Sequence, residues 1–166
     1  MKGNGEKMNQ DLCVAFDNGI LNVRAGAIIV KDGKFLMVGN EKIDYLYTVG
    51  GRIKFGETAE EAVIREVYEE TGVKMDIDRL GFIHENYFVG DDPKNLRKTV
   101  YEISFYFYMK TPEDFAPLSE SFTEYDSKEH LRWVSPDEEI KMYPEFFRSE
   151  LKNPSDAVKH FVTDDR

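Results

Sequence analysis

Residues 58–72 read T-A-E-E-A-V-I-R-E-V-Y-E-E-T-G, and this stretch constrains the fold more than any other. Thr58 followed by Glu61 has the spacing of a capping box, in which each residue satisfies the other's backbone N–H. Gly72 stands where a helix ends in the left-handed conformation. Ala59, Val63 and Val67 recur at helical spacing and mark a buried stripe. The spacing predicts a helix over 58–71. On that helix Glu66, Glu69 and Glu70 crowd onto adjoining turns of one face. Like charges so placed cost a helix about 0.2–0.5 kcal/mol per pair. Either the face is simply solvated, or something cationic is to be held there.

The flanking pattern is that of a mixed α/β (α+β) domain. From Val23 an apolar run leads to K-D-G-K and then F-L-M-V, and Asp32-Gly33 between apolar runs signals a hairpin. Residues 39–46 read as a loop. Tyr47 to Val49 reads as a short strand broken by Gly50-Gly51. Residues 80–89 and 98–109 read as strands, and the second is apolar on both alternating faces, as in the middle of a covered sheet. Residues 111–128 form a long acidic connection. Leu131 to Val134 reads as a strand, Ser135-Pro136 opens a helix, and a further helix starts near Pro144. No repeat or linker divides the 166 residues, so the expected organisation is an N-terminal extension over 1–20 and one domain over 21–166.

Charge and cysteine content exclude several roles. A formal net charge of −10 disfavours nucleic acid as a partner, and makes a local positive device necessary if the ligand is a polyanion. Cys13 is the only cysteine, so no internal disulfide forms and a reducing compartment is expected. No apolar run reaches the length of a membrane span, and residues 1–10 lack a signal core, which predicts a cytoplasmic protein.

Taken over residues 51–73, G-R-I-K-F-G-E-T-A-E-E-A-V-I-R-E-V-Y-E-E-T-G-V, the chain resembles the Nudix hydrolase signature. Gly51, Glu57, Arg65, Glu66, Val67, Glu69, Glu70, Gly72 and Val73 fill it with every spacing kept. Random sequence of ordinary composition gives such a match roughly once in 10⁹ starts, and a glutamate-rich chain about tenfold more often. The resemblance implies a Nudix-like α/β/α sandwich with a mixed sheet. It implies a Mg²⁺ (or Mn²⁺) dependent pyrophosphohydrolase, in which water attacks the diphosphate of a nucleoside triphosphate, nucleotide sugar or dinucleotide. Carboxylate clusters suit such hard cations, which neutralise them and grip phosphate oxygens. Glu66, Glu69 and Glu70 would bind metal directly or through water, with the Gly50 carbonyl as a further ligand. Glu57 would support the metal or pair with Arg65, and Arg65 would orient a glutamate. The general base would be Glu66 or a loop glutamate. Val49 stands where the family often has proline, at the turn that aims the Gly50 carbonyl. The family also implies a possible homodimer.

Outside the signature, many family members place one more carboxylate in the loop before the last core strand. The candidates are Glu120, Glu124 and Glu129, with Glu129 preferred because it lies four residues before Trp133. Arg52 is a candidate for substrate phosphates, or for a surface ion pair. Arg24 lies within an apolar strand, where a lone arginine points to a pocket, an edge or a buried pair. Tyr45, Tyr47, Tyr87 and Phe88 could stack on a base, Tyr87 foremost, or serve as packing. His84 and His130 lack zinc-site spacing.

Two other activities compete with hydrolysis. A nucleotide sensor on the same fold would be expected to lose signature glutamates, and none is lost here. An isopentenyl diphosphate isomerase-like enzyme would need a site cysteine, and Cys13 precedes the first confident strand.

Overall fold

The computed structural model describes residues 9–90, 95–117, 121–122 and 128–166. In chain order the elements are β1 (Cys13–Ala15), β2 (Gly19–Ile28), β3 (Val30–Lys31), β4 (Lys34–Asn40), β5 (Leu46–Thr48) and β6 (Gly50–Arg52). Then come α1 (Ala59–Thr71), β7 (Ile77–Val89), β8 (Thr99–Met109), β9 (Ser121–Phe122), β10 (Lys128–Val134), β11 (Met142–Tyr143), α2 (Phe147–Glu150) and β12 (Lys159–Asp165). They form a mixed α/β fold of two sheets. One runs β1-β2-β8-β7-β12, with β6 added on β2; the other runs β11-β5-β4-β10-β9, with β3 on β4. Among the described residues no helix is long and apolar enough to cross a membrane.

Alternation along the strands builds two cores. Ala25, Ala27 and Phe107 face one way and pack with Val63 and Val67 of α1, and with Leu36 and Val38 of β4. Ile28, Tyr106 and Tyr108 face the other way and join Phe82, Met37, Val134 and Phe147 of α2. The two helices therefore cover opposite faces, and β8 lies between β2 and β7, as its two apolar faces require. The hairpin at Asp32-Gly33 pairs Lys31 with Lys34, and both turn residues have positive φ (50° and 72°). The α1 caps form as the sequence predicts. The Thr58 hydroxyl accepts from the Glu61 N–H at 3.1 Å, the Glu61 carboxylate accepts from the Thr58 N–H at 2.8 Å, and Gly72 closes the helix at φ 73°.

Other expectations fail. Ser135-Pro136 opens a turn, not a helix: Glu138 N–H donates to the Ser135 carbonyl at 3.0 Å, and Ile140 N–H to Glu138. The run D-E-E has no apolar stripe to bury, and Arg148 takes the Glu138 and Ile140 carbonyls. The helix near Pro144 is the single turn of α2. The strand read over 47–49 does end, at Thr48, but Gly50-Gly51 then form a strand of their own in the other sheet, pairing with Gly26 and Ala25 of β2. The loop expected over 39–46 narrows to 41–45, between β4 and β5. Four strands were not foreseen: β1, β9, β11 and β12. β1 lies within residues 1–20 and pairs with β2, while β12 adds a parallel edge to β7.

Candidate active site

The site gathers where α1 crosses the glycine strand β6. Close approach there depends on two missing side chains. A Cβ on Gly51 would sit 2.4 Å from the Glu66 carboxylate, and one on Gly50 would sit 2.3 Å from the Ala25 carbonyl. Gly50 also has φ 140°, which disfavours any other residue. The Gly50 N–H then donates to Glu70 Oε1 at 3.2 Å. Backbone and α1 are thus tied through one carboxylate.

Arg65 organises the other carboxylates. Its Nε and Nη2 bind the two oxygens of Glu57 at 2.8 and 2.9 Å. Nη1 binds Glu66 at 2.5 Å and Glu69 at 3.2 Å, and Nη2 also reaches the Arg52 carbonyl at 3.1 Å. This bidentate fork fixes geometry as well as charge. It holds the Glu57 carboxyl below its ordinary value. Of the three helix carboxylates Glu69 is the most open, with its side chain about half exposed (52%).

Glu66 and Glu70 are pushed the other way. Burial raises Glu66, partly opposed by Arg65. Burial raises Glu70 well above the ordinary carboxylate range; the Gly50 N–H opposes this, and the nearby charges of Glu129 and Glu66 add to it. Glu70 Oε2 is buried and has no hydrogen-bond partner among the described residues. Glu129 reaches this cluster from β10 and is itself buried. Its Oε1 accepts from the Tyr47 hydroxyl at 2.5 Å. Tyr47 is thereby held protonated, pushed up by burial and by that hydrogen bond.

Arg24 is aimed at the same place. Its Nη2 donates to the Gly50 carbonyl at 3.3 Å. Burial works against its charge, but Glu102, Tyr106, Glu66 and Glu70 outweigh burial and raise its pKa. Arg52 is its neighbour across the β2–β6 ladder. Arg52 binds Asn22 Oδ1 at 3.1 Å and lies 3.5 Å from Asp11, with its side chain partly open to solvent.

The structure thus brings together Glu57, Arg65, Glu66, Glu69, Glu70, Glu129, the Gly50 backbone, Arg24 and Arg52. Tyr87 is not brought to them. Its ring is taken up elsewhere, stacked on Tyr101 at 4.3 Å and with the Arg166 guanidinium 4.3 Å from the ring centre. Tyr45 packs edge-on against Tyr143. Tyr47, read as packing or base-stacking, instead orients Glu129. That pairing spans β4, where Val38 lies opposite Tyr47 and Asn40 opposite Glu129, so no local sequence signal announces it. His84 bonds Thr163, and His130 lies exposed on β10. Glu120 and Glu124 lie outside the described residues. No group of three or more His, Cys, Asp or Glu side chains among the described residues stands ready to hold a metal ion; Arg65 binds Glu57, Glu66 and Glu69 instead.

Comparison with known proteins meets this geometry. The NUDIX domain profile matches residues 21–153. The chain belongs to the NUDIX family. A "MutT-like protein" of Streptomyces ambofaciens is 34% identical over 62 residues, 37% of this chain and 40% of that protein, so the likeness spans well under half of that relative. Among solved structures, the mutator MutT protein of Bacillus halodurans superposes with a TM-score of 0.63 at 22% identity, covering 86% of this chain and 90% of its own. An ADP-ribose pyrophosphatase of Streptococcus suis gives 0.53 at 20%, covering 86% and 98%. A UDP-X diphosphatase gives 0.56 at 17%, covering 89% and 69%. At these identities the solved structures establish the NUDIX fold. The family match covers α1 and its carboxylates and leaves out β1 and β12.

Proposed function

We propose that the protein is a divalent-metal-dependent hydrolase of phosphoric anhydrides, cleaving a nucleoside diphosphate linked to a second group. The observation that carries this reading is Glu70 Oε2, a buried oxygen with no described partner, beside the charges of Glu66 and Glu129. An unpartnered carboxylate oxygen among other carboxylates is costly unless a cation completes it. The donors fit a hard cation: Glu66, Glu69 and Glu70, with the Gly50 carbonyl and Glu57 beside them. Mg²⁺ or Mn²⁺ held there would supply charge neutralisation at phosphate oxygens and a more acidic water.

The chain's own residues have separate tasks in this reading. Arg65 positions Glu57, Glu66 and Glu69 and is not spent on substrate. Arg24 and Arg52, adjacent on β2 and β6, offer guanidinium forks to the diphosphate. Glu66 or Glu129 accepts the proton of the attacking water, and Tyr47 keeps Glu129 turned inward. Residues 21–166 act as one domain, with 1–20 as an extension whose β1 edges the sheet. The protein works in the cytoplasm.

The names of the similar structures, ADP-ribose pyrophosphatase, UDP-X diphosphatase and MutT, support a nucleotide-derived small molecule as the substrate class. The deciding experiment is phosphate release, with a coupled phosphatase, from ADP-ribose, UDP-sugars, nucleoside triphosphates and dinucleoside polyphosphates. Each is run with Mg²⁺ or Mn²⁺ and again with a chelator. Metal-dependent release from one class supports the reading and names the substrate. Silence across the panel, with metal and nucleotide still raising the melting temperature, would replace it with a nucleotide sensor.

A further inference from the structure

β12 ends its sheet with β7 on one side and solvent on the other. Its register with β7 is unbroken from Lys159–Phe82 to Asp165–Phe88. Natural edges are usually blunted by proline, a bulge, short length or charged side chains, and β12 has only the last of these. K-H-F-V-T-D-D has no proline and no glycine, and runs seven residues. The opposite edge strand, β1, has three. At the centre of β12 the side chain of Val162 is 60% exposed.

The strand is also charged in a self-complementary way. Lys159 and His160 stand at one end, Asp164 and Asp165 at the other. We propose that a second copy of this chain docks along β12, strand to strand and antiparallel, about a twofold axis through Val162. In that register Lys159 faces Asp165, His160 faces Asp164, and Phe161 faces Thr163, each twice by symmetry. Neighbouring registers lose this match. With Phe161 on the axis, Lys159 meets Thr163 and Asp164 meets Val158. With Thr163 on the axis, His160 meets Arg166 and Val162 meets Asp164. A single register therefore both buries the exposed valine against its own copy and opposes unlike charges.

The existing ion pairs at the edge are partly exposed and exchange partners at little cost. Lys159 is bound to Glu150, His160 to Glu85 and Asp164 to Arg166, while Asp165 makes no side-chain ion pair among the described residues. Each copy carries a net charge of −10, so two copies repel except where charges are matched locally. That makes the lysine–aspartate pairing selective for this edge. The joined sheets leave both candidate active sites open, because β6 and α1 lie at the β2 side of the sheet.

The test is sedimentation equilibrium of the full chain from low micromolar to several hundred micromolar. The wild type is expected to dimerise. Val162→Lys, at an exposed position, is expected to weaken dimerisation at least tenfold with an unchanged melting temperature. Lys159→Asp makes the facing positions 159 and 165 both acidic, and Asp165→Lys makes them both basic. Each alone should dissociate, and an equimolar mixture of the two should form a heterodimer. A wild type that stays monomeric throughout the range overturns the proposal. So does a dimer unmoved by Val162→Lys, or a mixture of the two charge variants that remains monomeric while both are folded.

Discussion

Glu70 is the residue on which stability and proposed chemistry pull in opposite directions. Burial raises its pKa above the ordinary 4.5, so the folded, metal-free chain binds this proton more tightly than the unfolded chain does. Its contribution is therefore most favourable below the unfolded value, and is lost as pH rises through the folded one. As pH rises through that folded value, the metal-free protein has to bury a charge at Glu70. Glu70→Gln keeps an acceptor for the Gly50 N–H and removes the charge. In chelator at pH 7 this variant should unfold at a temperature at least as high as wild type, by up to a few degrees. With Mg²⁺ its turnover should fall at least about a hundredfold. Scanning calorimetry and the phosphate assay check the two halves. Full turnover in Glu70→Gln would remove the carboxylate from the proposed site. Tyr47 acts one step away, through the 2.5 Å hydrogen bond to Glu129. Tyr47→Phe should lower kcat by roughly tenfold and leave KM nearly unchanged, if Glu129 takes part only in the transition state. A change in KM alone would instead assign Glu129 to substrate binding.

Among the elements, α1 was readable in the sequence and β6 was not, for one physical reason. Caps and 3.6-residue periodicity are local, so Thr58, Glu61, Val63, Val67 and Gly72 announce the helix without reference to the rest of the chain. Gly50 and Gly51 announce only a break. That they form a strand depends on Gly26 and Ala25, some 25 residues earlier, and on the Glu66 carboxylate that fills the space above them. Ser135-Pro136 failed conversely: its local helix-start signal had no apolar stripe behind it, so a turn won. Two substitutions separate helix stability from site geometry. Thr58→Ala removes the cap acceptor and should cost about 1 kcal/mol, lowering the melting temperature by roughly 2–4 °C, with turnover per folded molecule unchanged. Gly51→Ala should do the reverse. A methyl 2.4 Å from Glu66 Oε1 forces that carboxylate off its place, and turnover should drop tenfold or more with a smaller thermal shift. Equal turnover in Gly51→Ala and wild type would show that Glu66 can move without consequence.

Across the whole molecule, the least legible part is the way distant strands close around buried polar groups. The sequence marks Arg24 as odd within an apolar strand. The identity of its partner, the Gly50 carbonyl, and of its carboxylate surroundings follows only from how β2, β6 and β8 are laid side by side. His84 is the same kind of residue at the far edge. It is buried (4% exposed) between β8 and β12, edge-on to Phe146 at 5.1 Å. Its Nε2 lies 2.9 Å from Thr163 Oγ1, and the Thr163 hydroxyl donates onward to Asn86 at 2.5 Å. The threonine oxygen is therefore the acceptor, and the neutral Nε2–H tautomer fits this chain. Burial lowers the imidazole pKa below 6.5, His160 adds to this, and Glu102 opposes it. Since the folded value is depressed, the stability that His84 contributes is complete above pH 6.5 and is lost as pH falls through the folded value. The raised carboxylates Glu66 and Glu70 have the opposite slope, so the wild-type profile alone mixes the two. His84→Gln keeps a donor near the Nε2 position and cannot titrate. The quantity to measure is the difference in urea unfolding free energy between wild type and His84→Gln at pH 7.5 and at pH 5. Wild type should lose stability relative to the variant on going to the lower pH. If the difference stays constant, the His84–Thr163 contact tolerates an imidazolium, and β12 is held by its ladder with β7 and its aromatic packing instead.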